Sequence, residues 1–439
     1  MIEQYFKEAQ KLIQDARQGI VIPHMELVDM TTEKQLRMSS RLSFGTGSYM
    51  IVVGPSGTGK TAFVDTEIVL NPILQQFLRE PSMRQEIEVI YRAQERPPRQ
   101  KIVKWISYLL WWKERRLVDL PTLLQLTGKK RALNDEDMAA IDRLSPYMEF
   151  ISDSVTLIGG AKTPQELYDY ALDRIQQEGA YFYADMHYVY RNGVKMCSFN
   201  GEKFGEQQAE LEFGKDKKGN QFVSIKRGNR EILLTQQGHK YVPKNPKKLR
   251  VHVVDTINKL RGDDTLKTLN AWSRYAGELR DADAGAFVDI SQMSKDDMKS
   301  MDKKMHITQG HIKGSGDIPN NADIILSLID PLHYDITEWG NDGEIYDVTA
   351  MQGSFRLGQI VKNTHGDSIH KFPFVMLGEN GYFYELPQKG MTANDYAELH
   401  EKIFKYRGAP PPDAQAAMPF KDIISSVKVT RRSEEKNPF

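Results

Sequence analysis

Gly54, Gly59, Lys60 and Thr61 stand at the fixed positions of a G-x-x-x-x-G-K-[ST] pattern, Gly54-Pro55-Ser56-Gly57-Thr58-Gly59-Lys60-Thr61, and these residue types together suit one task, holding phosphate. The glycines let successive backbone N–H groups turn inward around an oxyanion, and the N-terminus of a following helix adds a partial positive charge. The Lys60 ammonium reaches the outer phosphates, and the Thr61 hydroxyl is placed to ligate Mg2+. A nucleoside triphosphate, ATP with Mg2+, is the expected ligand, contacted from Gly54 through Ala62. Hydrolysis would further need an acid near the metal, a carboxylate that activates water, and a polar sensor of the γ-phosphate. Two acids close apolar runs, Asp255 in VHVVD and Glu95 in EVIYRAQE. A carboxylate at the C-terminal edge of a buried strand faces such a loop. Asp255 is therefore expected as the second metal-site acid and Glu95 beside the attacking water, against the plainer alternative of solvated strand ends.

These groups need strands behind them and helices after them. Tyr49–Val53 is a run of β-formers leading into the loop, and residues 60–80 read as helix. Strands are expected at 88–95, 251–255, 286–290, 324–328 and 357–362, with a hairpin turning at Asn380-Gly381. Helix starts are marked by Asn134 before three acids, by the capping box Thr163-Pro164-Gln165-Glu166, and by Thr392. A helix over 100–116 presents Ile102, Val103, Ile106, Leu109 and Leu110 as its apolar stripe; its tryptophans either pack or stack on bases. Alternating strands and helices imply an α/β fold with a mainly parallel sheet. Residues 181–250 break that order. Turn pairs at Asn192-Gly193, Gly219-Asn220 and Gly228-Asn229 separate short aromatic and β-branched runs, so this block is expected to be an antiparallel β-hairpin insertion.

Domain limits follow: an amphipathic helix within 1–20, a core over 21–408 interrupted at 181–250, and a mobile Pro-rich tail over 409–439. At 439 residues, 40% apolar and 27% charged, the composition is that of a soluble globular protein. One cysteine, Cys197, precludes an internal disulfide or a multi-cysteine zinc site and suits a reducing compartment. No apolar run approaches a membrane span and the acidic N-terminus does not resemble a signal peptide, so a cytoplasmic location is expected. The formal charge is zero, which gives no whole-chain signature of nucleic-acid binding but leaves room for local basic loops.

In this order the motifs resemble the catalytic domain of DnaB-like replicative DNA helicases, RecA-type P-loop ATPases, over roughly residues 1–385 apart from the hairpin block. GPSGTGKTAF is similar to that family's phosphate loop, VIYRAQE to the strand before its catalytic glutamate, and VHVVDTINKL to its second acidic strand. TPQELYDYALDRIQQEG looks like the helix ahead of that strand, and GSGDIPNNADIILSL like the segment after the DNA-contacting loop. AFVDISQMSK resembles the strand with the sensor glutamine, which falls on Gln292, and IVKNTHG the strand of the trans-acting finger. The resemblance implies a hexameric ring with nucleotide between subunits and loops gripping single-stranded DNA. Those loops would carry Lys295, Lys299, Lys303, Lys304 and Lys313, with a further basic segment at Lys259–Lys267. The helix within 1–20 would take the place of the family's linker helix.

One departure concerns the finger: Lys362 is present, but Thr364 stands where the family has arginine. A threonine cannot clamp phosphate oxygens bidentately. Either Lys362 suffices, or Arg356 substitutes, or hydrolysis is slow. The family's N-terminal primase-interacting domain has no counterpart here, so primase or loader contacts are expected elsewhere, the hairpin block being one candidate. A terminal Asn437-Pro438-Phe439 after two acids is either a docking peptide or a disordered end. The alternatives to a helicase are a recombinase-like or other DNA-dependent ATPase that does not unwind, and a nucleotide-binding scaffold with weak turnover.

Overall fold

Six apolar runs, five of them buried along their length, explain the centre of this molecule. Strands covered by helices on both sides read as near-continuous hydrophobic segments and pair in parallel. In the computed structural model these are β1 (Tyr49–Gly54), β2 (Ile87–Ala93), β3 (Val155–Gly159), β4 (Leu249–Asp255), β5 (Ala286–Gln292) and β6 (Ile324–Ile329). Three antiparallel strands extend the β6 side: β7 (Phe355–Asn363), β8 (Lys371–Leu377) and β9 (Tyr382–Glu385). The nine-stranded sheet has the order β9-β8-β7-β6-β1-β5-β4-β2-β3. The structure describes residues 10, 14 and 24–407, except 33, 43, 80–86, 127–130, 184–188, 192–193, 200–201, 206–209, 216–220, 228–229, 236–239, 294–304, 313–316, 342–343 and 369.

Both faces are covered. Successive strand residues point to opposite sides, and on β2 the Tyr91 ring packs edge-on against Trp105 while adjacent Arg92 reaches the Leu167 carbonyl. This places helix α2 (Pro98–Glu114), which carries Trp105, and helix α3 (Pro164–Glu178), which carries Leu167, on opposite faces. Helix α4 (Thr265–Asp281) packs on α3, with Tyr168 and Tyr275 stacked at 4.6 Å. The capping boxes expected at Asn134, Thr163 and Thr392 all form.

After the loop, helix α1 (Lys60–Phe63) widens into π-type turns over Val64–Leu70 and regains α geometry at Asn71–Arg79. Asn71 N–H donates to Thr66 O, five residues back. All seven residues of the widened stretch are buried. Residues 24–45, which read as irregular, form short paired strands whose apolar side chains (Met25, Leu27, Leu36, Phe44) join the core.

The stripe expected on α2 is rotated. Lys101, Trp105, Tyr108, Leu109 and Trp112 lie on its buried side, whereas Ile102, Val103 and Ile106 are half-buried. Trp105, Trp111 and Trp112 are packed, not presented for stacking. The hairpin block leaves α3 at Gly179 and returns at Leu249, the start of β4, so it is rooted at the sheet edge away from the phosphate loop. It forms a five-stranded and a three-stranded sheet; their pairings are antiparallel except for the parallel contact between Leu233–Leu234 and Phe182–Tyr183. Arg191 pairs with Val194 and Arg227 with Arg230, two-residue separations that match the expected turns, whose own residues lie outside the described ones. The helix within 1–20 and the tail over 409–439 also lie outside.

Candidate active site

Four parallel strands end in register at one edge, and that alignment assembles the site. Gly54 at the end of β1 is paired with Gln292 on β5, while Asp255 on β4 is paired with Ile290 on β5 and Ala93 on β2. Such an edge is where open α/β sheets bind ligands. Glu95 lies two residues past β2, in a bend whose Gln94 and Glu95 N–H groups donate to Asp255 O at 2.7 and 3.3 Å. The strand thus stops short of Glu95, which is exposed toward the cavity rather than held in the ladder.

The loop needs its glycines sterically. A side chain at Gly54 (φ 156°) would bring Cβ to 2.2 Å from Leu328 O, and one at Gly59 (φ 97°) to 2.1 Å from the Met376 sulfur. Both residues also lie at backbone angles that L side chains rarely adopt. Lys60 begins α1 and donates to Pro55 O at 2.6 Å, so the ammonium lies against the loop. Burial lowers its pKa to about 8, while Glu95 and Asp255 pull the other way, which puts both carboxylates within its field. Thr61 Oγ1 donates to Asp255 Oδ1 at 2.9 Å. Lys60, Thr61, Glu95, Asp255 and Gln292 line one cavity of about 400 Å³, together with Ser56, Gly57, Gly59 and Ala62 of the loop. The backbone N–H of Gln292 donates to Asn258 Oδ1 at 2.8 Å, fixing the strand end.

The donor set fits Mg2+. Hydroxyl and carboxylate oxygens meet at Thr61 and Asp255, and Mg2+ is usually held by one or two carboxylates plus ligand phosphates rather than by an all-protein cage. No cluster of three or more His, Cys, Asp or Glu residues suited to a metal occurs among the described residues.

No protein-family model matches this sequence, and no curated protein does. Solved structures are similar in fold. An ATPase domain solved on its own matches at 13% identity with a TM-score of 0.54, over 87% of this chain and 98% of that one. The fold is that of a DnaB-like, RecA-type ATPase domain. A DnaB-like replicative helicase solved for its interactions with primase matches at 13% identity and TM-score 0.48, over 78% of this chain and 58% of that one. A KaiC-like protein, PH0186 from Pyrococcus horikoshii OT3, matches at 10% identity and TM-score 0.38, over 83% of this chain and all of that one.

Within this RecA-type domain the two finger candidates part company. Arg356, at the start of β7, is buried beside its own phosphate loop. Its guanidinium donates to Thr58 O (3.1 Å), Gly353 O (2.9 Å) and Phe355 O (2.7 Å), and pairs with Asp330 at 3.1 Å. An arginine so engaged braces the loop in its own chain; the expectation that it reaches a neighbour is corrected. Lys362 lies at the other end of β7, paired with Ile325 near the start of β6, at the edge opposite the cavity. It donates to Pro319 O and Asn320 O at 2.9 and 3.2 Å. Thr364 Oγ1 turns to Asp323 Oδ1 at 3.5 Å, and Asp323 also binds Tyr49 N–H and Arg280. Lys295, Lys299, Lys303, Lys304 and Lys313 lie outside the described residues. Lys259 and Lys267 are described and exposed. No described helix is long and apolar enough to cross a membrane.

Sequence reasoning missed Lys101, Asp65 and Tyr91, which meet at the rear of the cavity. The signal was present: Lys101, Trp105, Tyr108 and Trp112 stand at i, i+4, i+7 and i+11, so the lysine sits on the buried stripe.

Proposed function

We propose that this chain is the ATP-hydrolysing core of a ring-forming DNA helicase that translocates on single-stranded DNA during replication. The observation that carries the reading is the meeting of Lys60, Thr61, Asp255, Glu95 and Gln292 around one cavity at the phosphate loop. Loop N–H groups and Lys60 bind the phosphates of ATP. Thr61 and Asp255 hold Mg2+, which when bound offsets charge on the β- and γ-oxygens. Glu95 takes the proton of an attacking water, and Gln292 senses the γ-phosphate by hydrogen bonding. Lys362, facing away from its own cavity, serves the nucleotide of an adjacent subunit, which makes a homo-oligomer, a hexamer by resemblance, part of the proposal. The lysines of 295–313 follow directly from β5, whose end lines the cavity, and that position suits a loop linking nucleotide state to grip on DNA. A primase or loader would dock on a surface away from the cavity, such as the hairpin block.

The test is DNA-stimulated ATP hydrolysis and forked-duplex unwinding by the full chain, with particle mass measured in ATP analogue and Mg2+ with and without an oligonucleotide. A hexamer that captures single strands and unwinds the fork is expected. Hydrolysis without unwinding would favour a recombinase-like ATPase. Thr364, in place of the family arginine and turned to Asp323, favours the second reading of a nucleotide-binding scaffold with weak turnover. Turnover no faster with single-stranded DNA than without it would select that reading.

A further inference from the structure

Lys101 has no part in the chemistry so far, yet its side chain is only 2% exposed, and a lysine so enclosed is rare unless paired. Its Nζ lies 3.0 and 3.1 Å from the two oxygens of Asp65, 2.7 Å from the Tyr91 hydroxyl and 2.9 Å from Asp255 Oδ2. The Tyr91 hydroxyl in turn donates to Asp255 Oδ2 at 3.0 Å. Asp255, assigned above to the metal, is therefore already faced by a resident ammonium, and Asp65 holds that ammonium in place. Packing alone would not ask for this arrangement. Apolar residues of similar volume usually fill such a space at equal or lower free energy, because three charges need not then be desolvated. The cluster also opens forward: Asp65, Lys101 and Asp255 share the cavity with Lys60 and Thr61.

We propose that the Lys101–Asp65 pair sets the Mg2+ requirement of the nucleotide site, Lys101 competing with the divalent cation for the field of Asp255 and Asp65 offsetting that competition. The inference rests on the nucleotide reading above. With Asp65, Lys101 and Asp255 ionised, the cluster carries one net negative charge. Asp65→Asn leaves the Lys101–Asp255 pair neutral, so the site attracts a cation less. Adding Lys101→Met to Asp65→Asn restores one negative charge. The two substitutions therefore act in opposite directions, which a purely structural contact would not produce.

The experiment is binding of a fluorescent ADP derivative to the full chain across a Mg2+ titration, with an EDTA arm giving the metal-free baseline for each variant. Asp65→Asn should raise the Mg2+ midpoint by about tenfold, the order expected for one unit charge near a divalent ion in a partly hydrated site. The Asp65→Asn/Lys101→Met protein should return to within about threefold of wild type by the same reasoning. Lys101→Met alone should need no more Mg2+ than wild type and serves as the check should Asp65→Asn not fold. A double variant needing as much Mg2+ as Asp65→Asn, or more, overturns the inference, as does a Lys101→Met midpoint above wild type. Binding that persists in wild type while the midpoints fail to move leaves the nucleotide reading standing and removes only this one. A wild type that binds no nucleotide with or without Mg2+ removes both.

Discussion

The two edges of the central sheet hold buried charge in different ways. At the edge away from the loop, Glu88 at the base of β2 is met by Arg174 at 2.7 Å, Arg250 at 2.9 Å and Lys248 at 3.1 Å, and Glu178 takes Lys248 and Arg250 in turn. Burial pushes the Glu88 carboxyl up, but Arg250, Arg174 and Lys248 outweigh it and hold the group below its usual range. At the loop edge the balance runs the other way. Lys60 is held near pKa 8 because burial outweighs the pull of Glu95 and Asp255, and a cavity separates groups that could otherwise pair. One edge has its charges closed off by one another; the other leaves charge for a ligand to complete. Incomplete pairing at a concave edge is thus the better sign of function than buried charge as such.

The largest expected break in that contrast is Lys60→Ala. It removes the cation that meets the phosphates, and ATP hydrolysis should fall by at least about a hundredfold, the usual cost of losing one group that stabilises transition-state charge. The fold should persist, because the hydrogen bond that the Lys60 ammonium gives up is one to a loop carbonyl. DNA-stimulated hydrolysis surviving in that variant would refute the site. Glu88→Ala should do the reverse. Removing it leaves Arg250 buried with Glu178 as its remaining carboxylate among the described residues, at a cost of about 3–5 kcal/mol in unfolding free energy, while nucleotide affinity stays at the wild-type value. Denaturant melts beside a nucleotide titration read both quantities; a stable Glu88→Ala that has lost nucleotide would invert the comparison.

Between the edges, Asp289 on β5 sharpens it. Its Oδ2 accepts from Tyr49 OH at 2.6 Å and Trp272 Nε1 at 2.8 Å, while Oδ1 has no partner among the described residues. Burial raises its pKa to about 7 against the lowering effect of those two donors. A carboxyl raised on folding stabilises the native state fully below its unfolded pKa, and that stability is lost as pH rises through the folded value. Stability should therefore fall between about pH 4 and pH 7, by on the order of 2–4 kcal/mol if no other group compensates. Asp289→Asn keeps an acceptor for both donors and should flatten that part of the profile, so its margin over wild type grows as pH rises. Identical slopes for the two proteins over this window would show that Asp289 is not the titrating group.

The phosphate loop, its strand and the strand-end acids were legible because each rests on a local pattern: glycines at fixed spacing, an apolar run, a carboxylate after it. Register did the rest, since parallel pairing brings strand ends together without further instruction. What was not legible depended on direction rather than pattern. The stripe on α2 was assigned to its isoleucines and valine, because Lys101 looked like a surface residue until Asp65 and Asp255 were seen to neutralise it across 36 and 154 residues of chain. The widened turns of α1 leave no clear mark in Val64–Leu70, whose composition suits an ordinary helix. The edge strand β3 is half-exposed along its length, so the continuous burial that marks the central strands does not extend to it. Arg356 and Lys362 sit near opposite ends of one strand, and only the antiparallel pairing of β7 reveals that they serve opposite edges.

That separation gives the smallest effect and the finest division between the edges. Arg356 braces Thr58 within its own loop, so Arg356→Ala should loosen the phosphate cradle and weaken nucleotide binding by an isolated chain, by about tenfold for the loss of a charge-assisted hydrogen bond. Lys362 donates to the carbonyls of Pro319 and Asn320, far from the cavity, so Lys362→Ala should leave nucleotide affinity of the isolated chain unchanged. If Lys362 instead serves a neighbour's nucleotide, its removal slows hydrolysis only where subunits meet, a loss of several-fold to about tenfold that grows with protein concentration as the oligomer forms. Mixing Lys362→Ala with Lys60→Ala decides the direction of action. A subunit lacking Lys60 cannot hydrolyse but still offers Lys362, so mixed assemblies should turn over faster than the summed activities of the separate variants. Strict additivity at concentrations that support assembly would mean that Lys362 acts in its own chain or not at all, and the edge opposite the loop would then be structural throughout.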